Sequence, residues 1–218
     1  MSEIVARLKY MITQANPVDE TRRLVIEHLT LNESELPILW HPLGFIDIPI
    51  ERDSSGKLVI HVWHPDFGRP QLPQQICHSH GWTLHSAVLA GAIENQTFEV
   101  ASDQAGDQRL YKVRYDGPKS ISDPLDERVT SKRVDAVRLY AGEQYTVAGN
   151  SFHWSEELGT LVVTVMCANF AQAGPAYVVR PWSSTSTYTY VREPCDRAAR
   201  GVILADVMQA IRGQLCRW

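Results

Sequence analysis

Apolar positions change their spacing along this chain, and the changes divide it into three parts. Ile4, Val5, Leu8 and Met11-Ile12 recur at helical spacing, which predicts an amphipathic helix at the start. Asn16-Pro17 then offers an N-cap and a first-turn proline, and Asp19-Glu20 put acid where the helix dipole favours it. Leu24, Val25, His28 and Leu29 follow as one apolar stripe, on which His28 reads as a core histidine. From Leu43 the period falls to two. Phe45 to Ile50 and Leu58 to Trp63 flank Ser54-Ser55-Gly56-Lys57, a hairpin signal, with Pro49 placing the first strand at an edge or a bulge.

A Pro- and Gln-rich loop, 65–75, leads into a run of short apolar segments: 78–80, 84–89, 93–100, 109–115, 134–140, 144–147, 161–166 and 177–179. Strands this short and evenly spaced argue for a sandwich or barrel rather than βαβ units. The acidic, Pro-bearing stretch 117–129 reads as a long loop covering the barrel mouth. Helical spacing returns from 196 to 215, with Val202-Ile203, Val207, Ala210-Ile211 and Leu215. The expected organisation is a helical segment over 1–42 packed on the barrel, a β domain over 43–194 and a helix over 195–218. That is a mainly β, single-domain chain.

Composition narrows the partners. The net charge of the 218 residues is −4, with signs mixed and no basic run, so neither nucleic acid nor an anionic membrane is expected. No apolar stretch approaches the roughly 18 residues of a membrane span. An early acid and the lack of a signal-peptide core point to a cytoplasmic chain. Cys77, Cys167, Cys195 and Cys216 are scattered without a Cys-x-x-Cys pair, which in a reducing compartment reads as thiols most of which are simply buried.

The chemistry concentrates at two places. In Cys77-His78-Ser79-His80-Gly81-Trp82 two histidines one residue apart on an extended segment point to the same face. Their imidazoles can reach one metal ion, and Zn, Cu, Fe and Ni all accept imidazole. Two such polar rings facing inward would be costly without a partner. Cys77, of opposite parity, faces away. Later, Gly142 to His153 repeats the pattern of glycine turn, short strand, second turn and lone histidine. His61 and His64 precede the first motif and read as wall residues, and Trp82 and Trp154 as packing beside the ligands.

The two motifs resemble the signatures of the cupin superfamily, whose first motif is His-x-His followed by Glu and Gly and whose second runs from Gly through Pro-x-Gly to His. His78-Ser79-His80 with Gly91 fits the first, and Gly142 with His153 anchors the second, Ala148-Gly149-Asn150 replacing Pro-x-Gly. The resemblance covers roughly 43–180 and implies a jelly-roll-like cupin β-barrel, often a homodimer, with His78, His80 and His153 as metal ligands. At the position of the family's glutamate stands His85 or Leu84, depending on the direction of counting. Loss of that carboxylate resembles the branch of cysteine and cysteamine dioxygenases, whose iron is held by three histidines. That branch's crosslinking cysteine and its Ser-x-His-x-Tyr are both missing here.

Three neutral imidazoles leave the charge of a divalent ion uncompensated, so an anionic thiolate, carboxylate or enolate would be drawn to it. The resemblance thus implies a non-haem Fe(II) oxygenase acting with O₂ on a small polar metabolite, a thiol-bearing amino acid such as cysteine being the best fit. Ni, Mn or Zn in the same cage would make a Lewis-acid isomerase, lyase or decarboxylase, and a non-catalytic ligand-binding cupin is the third reading. His85 is a candidate fourth ligand or neighbouring base. Among Arg69, Arg109, Arg114 and Arg180, the first choices for a carboxylate clamp are Arg69 and Arg114. Tyr115, with Tyr111 and Tyr145 behind it, is the candidate phenol at the site.

Overall fold

The computed structural model describes residues 2–117, 119–159, 161–170 and 174–216. Helix α1 (Glu3–Thr13) is capped by Ser2, whose hydroxyl accepts from the Val5 N–H at 3.3 Å. Helix α2 (Val18–Leu31) starts one residue later than the proline pattern suggests, with Pro17 itself at the N-cap. Helix α3 (Arg197–Leu215) is capped by Asp196, which accepts from Ala199 N–H at 2.8 Å. Among the described residues no helix is long and apolar enough to cross a membrane.

Among the described residues, thirteen strands lie between α2 and α3. They begin with β1 (Leu39–Trp40), β2 (Ile46–Arg52), β3 (Gly56–Trp63), β4 (Cys77–Ser79), β5 (Leu84–Ala90) and β6 (Ala92–Ser102). The series continues with β7 (Gln108–Asp116), β8 (Lys119–Tyr140), β9 (Gln144–Val147) and β10 (Phe152–Glu157). It closes with β11 (Val162–Asn169), β12 (Ala176–Pro181) and β13 (Tyr188–Val191). All pairings are antiparallel, in two sheets: β1-β2-β3-β11-β5-β9 and β13-β8-β6-β10-β4-β12-β7. The fold is mainly β with helices at both ends.

The two faces of the first sheet differ in a way that alternation requires. Ile46, Ile48, Leu58, Ile60, Val62, Val163, Val165 and Leu89 point to one side and form a single core with Leu8 and Ile12 of α1, Val25 and Leu29 of α2, and Ile203 and Val207 of α3. Each such side chain contributes about 1.5–3 kcal/mol by leaving water. The other parity of the same strands, including His61, Trp63, Ser86 and Met166, lines a cavity shared with the second sheet. The helices therefore hold the sheet from outside and leave its inner face free for polar groups. On its far face the second sheet carries a small core of its own, Cys77, Val129 and Val179 packed with Phe98 and Phe152.

The β2–β3 hairpin forms as the sequence predicts, and the ladder slips by one residue between Pro49 and Glu51, a bulge at the proline. The stretch 117–129 differs from expectation. Residues 119–129 enter β8, a 22-residue strand that pairs with β7 and β13 through its first half and β6 through its second, while 118 lies outside the described residues. Their acid and proline content resembles a loop, but neighbours on both sides offer ladder partners. Pro124, which has no N–H to give, sits where the β7–β8 register shifts between Arg109 and Tyr111.

Candidate metal centre

His78 lies on β4 and His80 one residue past its end, while His153 on β10 is directly opposite His78 in the ladder. Cross-strand partners share a face, and both strands turn that face to the cavity. The chain after His80 is held by a close backbone approach. A Cβ at Gly81 would stand 1.8 Å from the Gly174 carbonyl oxygen, so no other residue fits there. The turn before β10 passes through Asn150 at φ +66°, and the Asn150 N–H donates to the His80 carbonyl at 2.7 Å. The two motifs are thus tied together by backbone contact.

Ring centroids are 4.9 Å apart for His78 and His80, 4.5 Å for His78 and His153, and 5.2 Å for His80 and His153. One nitrogen from each ring lies within 4.8 Å of the others. Nδ1 of His78, Nδ1 of His80 and Nε2 of His153 are buried without a hydrogen-bond partner, an expensive state for three polar atoms. The second nitrogen of His153 is engaged: Nδ1 lies 3.0 Å from Asn95 Oδ1. An amide oxygen only accepts, so Nδ1 carries the proton and Nε2 keeps its lone pair. The Ser155 hydroxyl donates to the same oxygen at 3.2 Å. Burial lowers the His78 imidazole to about 4 and holds His80 and His153 well below the ordinary histidine range. All three are neutral at pH 7, the form in which imidazole ligates. A buried three-histidine group with orphaned lone pairs fits a metal ion, and its donor set does not say which one.

No protein-family model matches this chain, and no curated protein matches it. The site therefore rests on its own geometry.

Around the histidines the cavity measures about 250 Å³. Trp82 stacks on His80 at 5.7 Å and 23°, and Trp154 stands edge-on to His78 at 6.5 Å. Tyr115, itself partly exposed, and Tyr145 line the wall, and burial raises the Tyr145 phenol above its usual range. Arg69 reaches the rim, laid over Trp40 at 4.2 Å and paired with Glu193 at 3.0 Å. The remaining candidates lie elsewhere. Leu84 and Ser86 face the cavity, so His85 between them turns to the opposite side, with Nδ1 3.1 Å from Thr146 Oγ1. Arg114 is exposed and donates to Asp123 at 2.8 Å, while its neighbours Val113 and Tyr115 point inward. Arg109 stacks on Trp182 at 3.6 Å and Arg180 on Tyr111 at 4.5 Å, and neither lines the cavity.

His41, Asp47, Lys57 and Asn95 escaped the sequence reading. His41 stacks on Phe45 at 4.2 Å and is held well below the usual histidine range, chiefly by desolvation. His61, expected in the wall, lies 3.5 Å from Asp47, and burial lowers it to about 4 despite that carboxylate. Asp47, buried on β2, also meets Arg192 Nε at 3.4 Å. Lys57 lines the cavity on β3, and burial brings its ammonium down to about 8. The parity of Lys57 with His61 along one strand was the available signal. Asn95 had none, since only its position across β6–β10 gives it a role.

Proposed function

We propose that this chain is a cupin-like metalloenzyme, a non-haem Fe(II) oxygenase that oxidises a small anionic metabolite. A thiol-bearing amino acid such as cysteine is the leading substrate. The observation that carries this reading is the buried group of three neutral histidines with orphaned nitrogens at the wall of a small cavity. The cavity is below the roughly 300–1,000 Å³ of drug-sized sites, which supports a small metabolite.

His78, His80 and His153 would hold the ion, and Fe(II) would supply the coordination sites and electrons for O₂ to react with a thiol, RSH + O₂ → RSO₂H. The protein's own residues prepare that encounter. Asn95 fixes the tautomer of His153. Trp82 and Trp154 exclude water beside the rings. Tyr115 and Tyr145, phenols that stay protonated at neutral pH, donate hydrogen bonds toward oxygen atoms of the substrate. Arg69 and Lys57 attract its carboxylate.

One observation favours a second reading. An ammonium at about 8 on Lys57 lies in the range suited to passing a proton at neutral pH, as a Lewis-acid isomerase, lyase or decarboxylase would need. The two readings separate by oxygen. Anaerobically purified, iron-loaded protein should consume O₂ with a panel of thiols including cysteine, and His153→Ala should abolish the uptake. Turnover that proceeds without O₂ would establish the second reading.

A further inference from the structure

The cavity wall beside the histidines carries more positive charge than uninterrupted strand pairing would put there. In the β2–β3 ladder Asp47 is opposite His61 and Pro49 opposite Val59. Continued without a break, that register would set Glu51 opposite Lys57, an acid against a base. The bulge after Pro49 adds one residue, so Glu51 is opposite Leu58 and Arg52 opposite Lys57. Successive side chains alternate faces, so the bulge turns Glu51 to the helical side and Arg52 to the cavity. There Glu51 pairs with Lys9 of α1, and Arg52 and Lys57 both line the cavity.

Two like charges directly opposite each other weaken an antiparallel pair; Asp47 is the acid that favours the charge on Lys57, and Arg52 is exposed to solvent. Asp47 is engaged by Arg192 and His61, and among the described residues no acid forms an ion pair with Arg52 or Lys57. Arg192, which also donates to Ser120 Oγ at 2.9 Å, adds a third cation to the same wall. The Lys57 ammonium stands 5.5 Å from the centre of the Trp82 ring that stacks on His80. Lys57 and His80 are therefore separated by a single aromatic ring. Burial opposes the charge on Lys57, and an anionic ligand is what would restore it.

We propose that Arg52 and Lys57, backed by Arg192, form an anion subsite, and that the substrate is a small acid carrying two negative charges. The inference rests on the metal reading: one charged group goes to the three-histidine centre and the other to Arg52 and Lys57. It also refines the substrate. A thiol with two acidic groups suits this wall better than cysteine, whose ammonium would face Lys57. Dicarboxylates and phosphate monoesters share the required charge.

Titration calorimetry on the full-length metal-loaded protein tests this, with malonate, inorganic phosphate and acetate as probes at fixed ionic strength. At least one of the two multiply charged probes should bind about tenfold more tightly than acetate. Lys57→Met should remove most of that preference, and Arg52→Glu, which restores the charge of an unbulged strand, should remove it too. Neither should change metal content or lower the melting temperature, and Arg52→Glu, which replaces a like-charge pair by an opposite one, should if anything raise it. Preference for malonate points to a dicarboxylate and preference for phosphate to a phosphate monoester. Equal binding of all three probes, or a preference that survives both substitutions, overturns the subsite. Protein that takes up no metal on loading yet keeps the preference would sink the metal reading alone; metal-loaded protein without the preference would sink the subsite alone.

Discussion

One nitrogen of His153 is committed and the other is free, and the whole difference is a hydrogen bond to Asn95. Groups that orient a ligand histidine typically carry 10–100-fold in metal affinity. Asn95→Ala should therefore weaken metal binding by about that factor in a chelator competition; an unchanged affinity would mean the bond is incidental. By contrast His85→Ala and Arg114→Ala should leave metal content as it is, because both side chains turn away from the cavity. The ligands were legible in the sequence because their spacing is local: His78 and His80 share a face by strand parity, and glycine turns mark off His153. His85 sits close to them in sequence, and the same alternation, counted through Leu84 and Ser86, takes it out of reach. Asp47, Lys57 and Asn95 act across strands, and no local pattern announces which strands are neighbours.

At the scale of elements, the first sheet separates stability from chemistry. Ile60 on β3 is fully buried among the helices, while the next residue, His61, faces the cavity. Ile60→Ala should cost about 2–5 kcal/mol in denaturant unfolding, yet the folded variant should bind metal as the parent does. Loss of metal from folded Ile60→Ala would show that the two faces are coupled. The hairpin and its bulge were readable from alternation and Pro49. The long β8 was not, because acid and proline mark loops unless partners on both edges supply the ladder. Those partners, β6, β7 and β13, come from distant parts of the chain.

For the whole molecule, histidine burial links folding to pH. His28, His41, His61, His78, His80 and His153 are all lowered in the folded protein, chiefly by burial. A histidine with a depressed folded value binds more protons when unfolded. Its contribution is complete above the unfolded value of about 6.5 and is lost as pH falls from there toward the folded value. Chelator-treated protein should therefore lose melting temperature steadily between about pH 6.5 and pH 4. A flat profile across that window would contradict the burial described for these rings. Overall class was the most legible feature, since the switch from helical to alternating period and back survives any detail of strand order. The pairing of strands into two sheets was not, because antiparallel neighbours here are often far apart in sequence.

The most direct test is metal content, measured by mass spectrometry on protein purified without oxygen. The three-histidine centre predicts about one ion per folded chain, and its loss from His153→Ala with the melting profile of the metal-free parent retained. Parent protein without stoichiometric metal even after loading, or His153→Ala that still carries a full complement, would contradict a centre built on His78, His80 and His153.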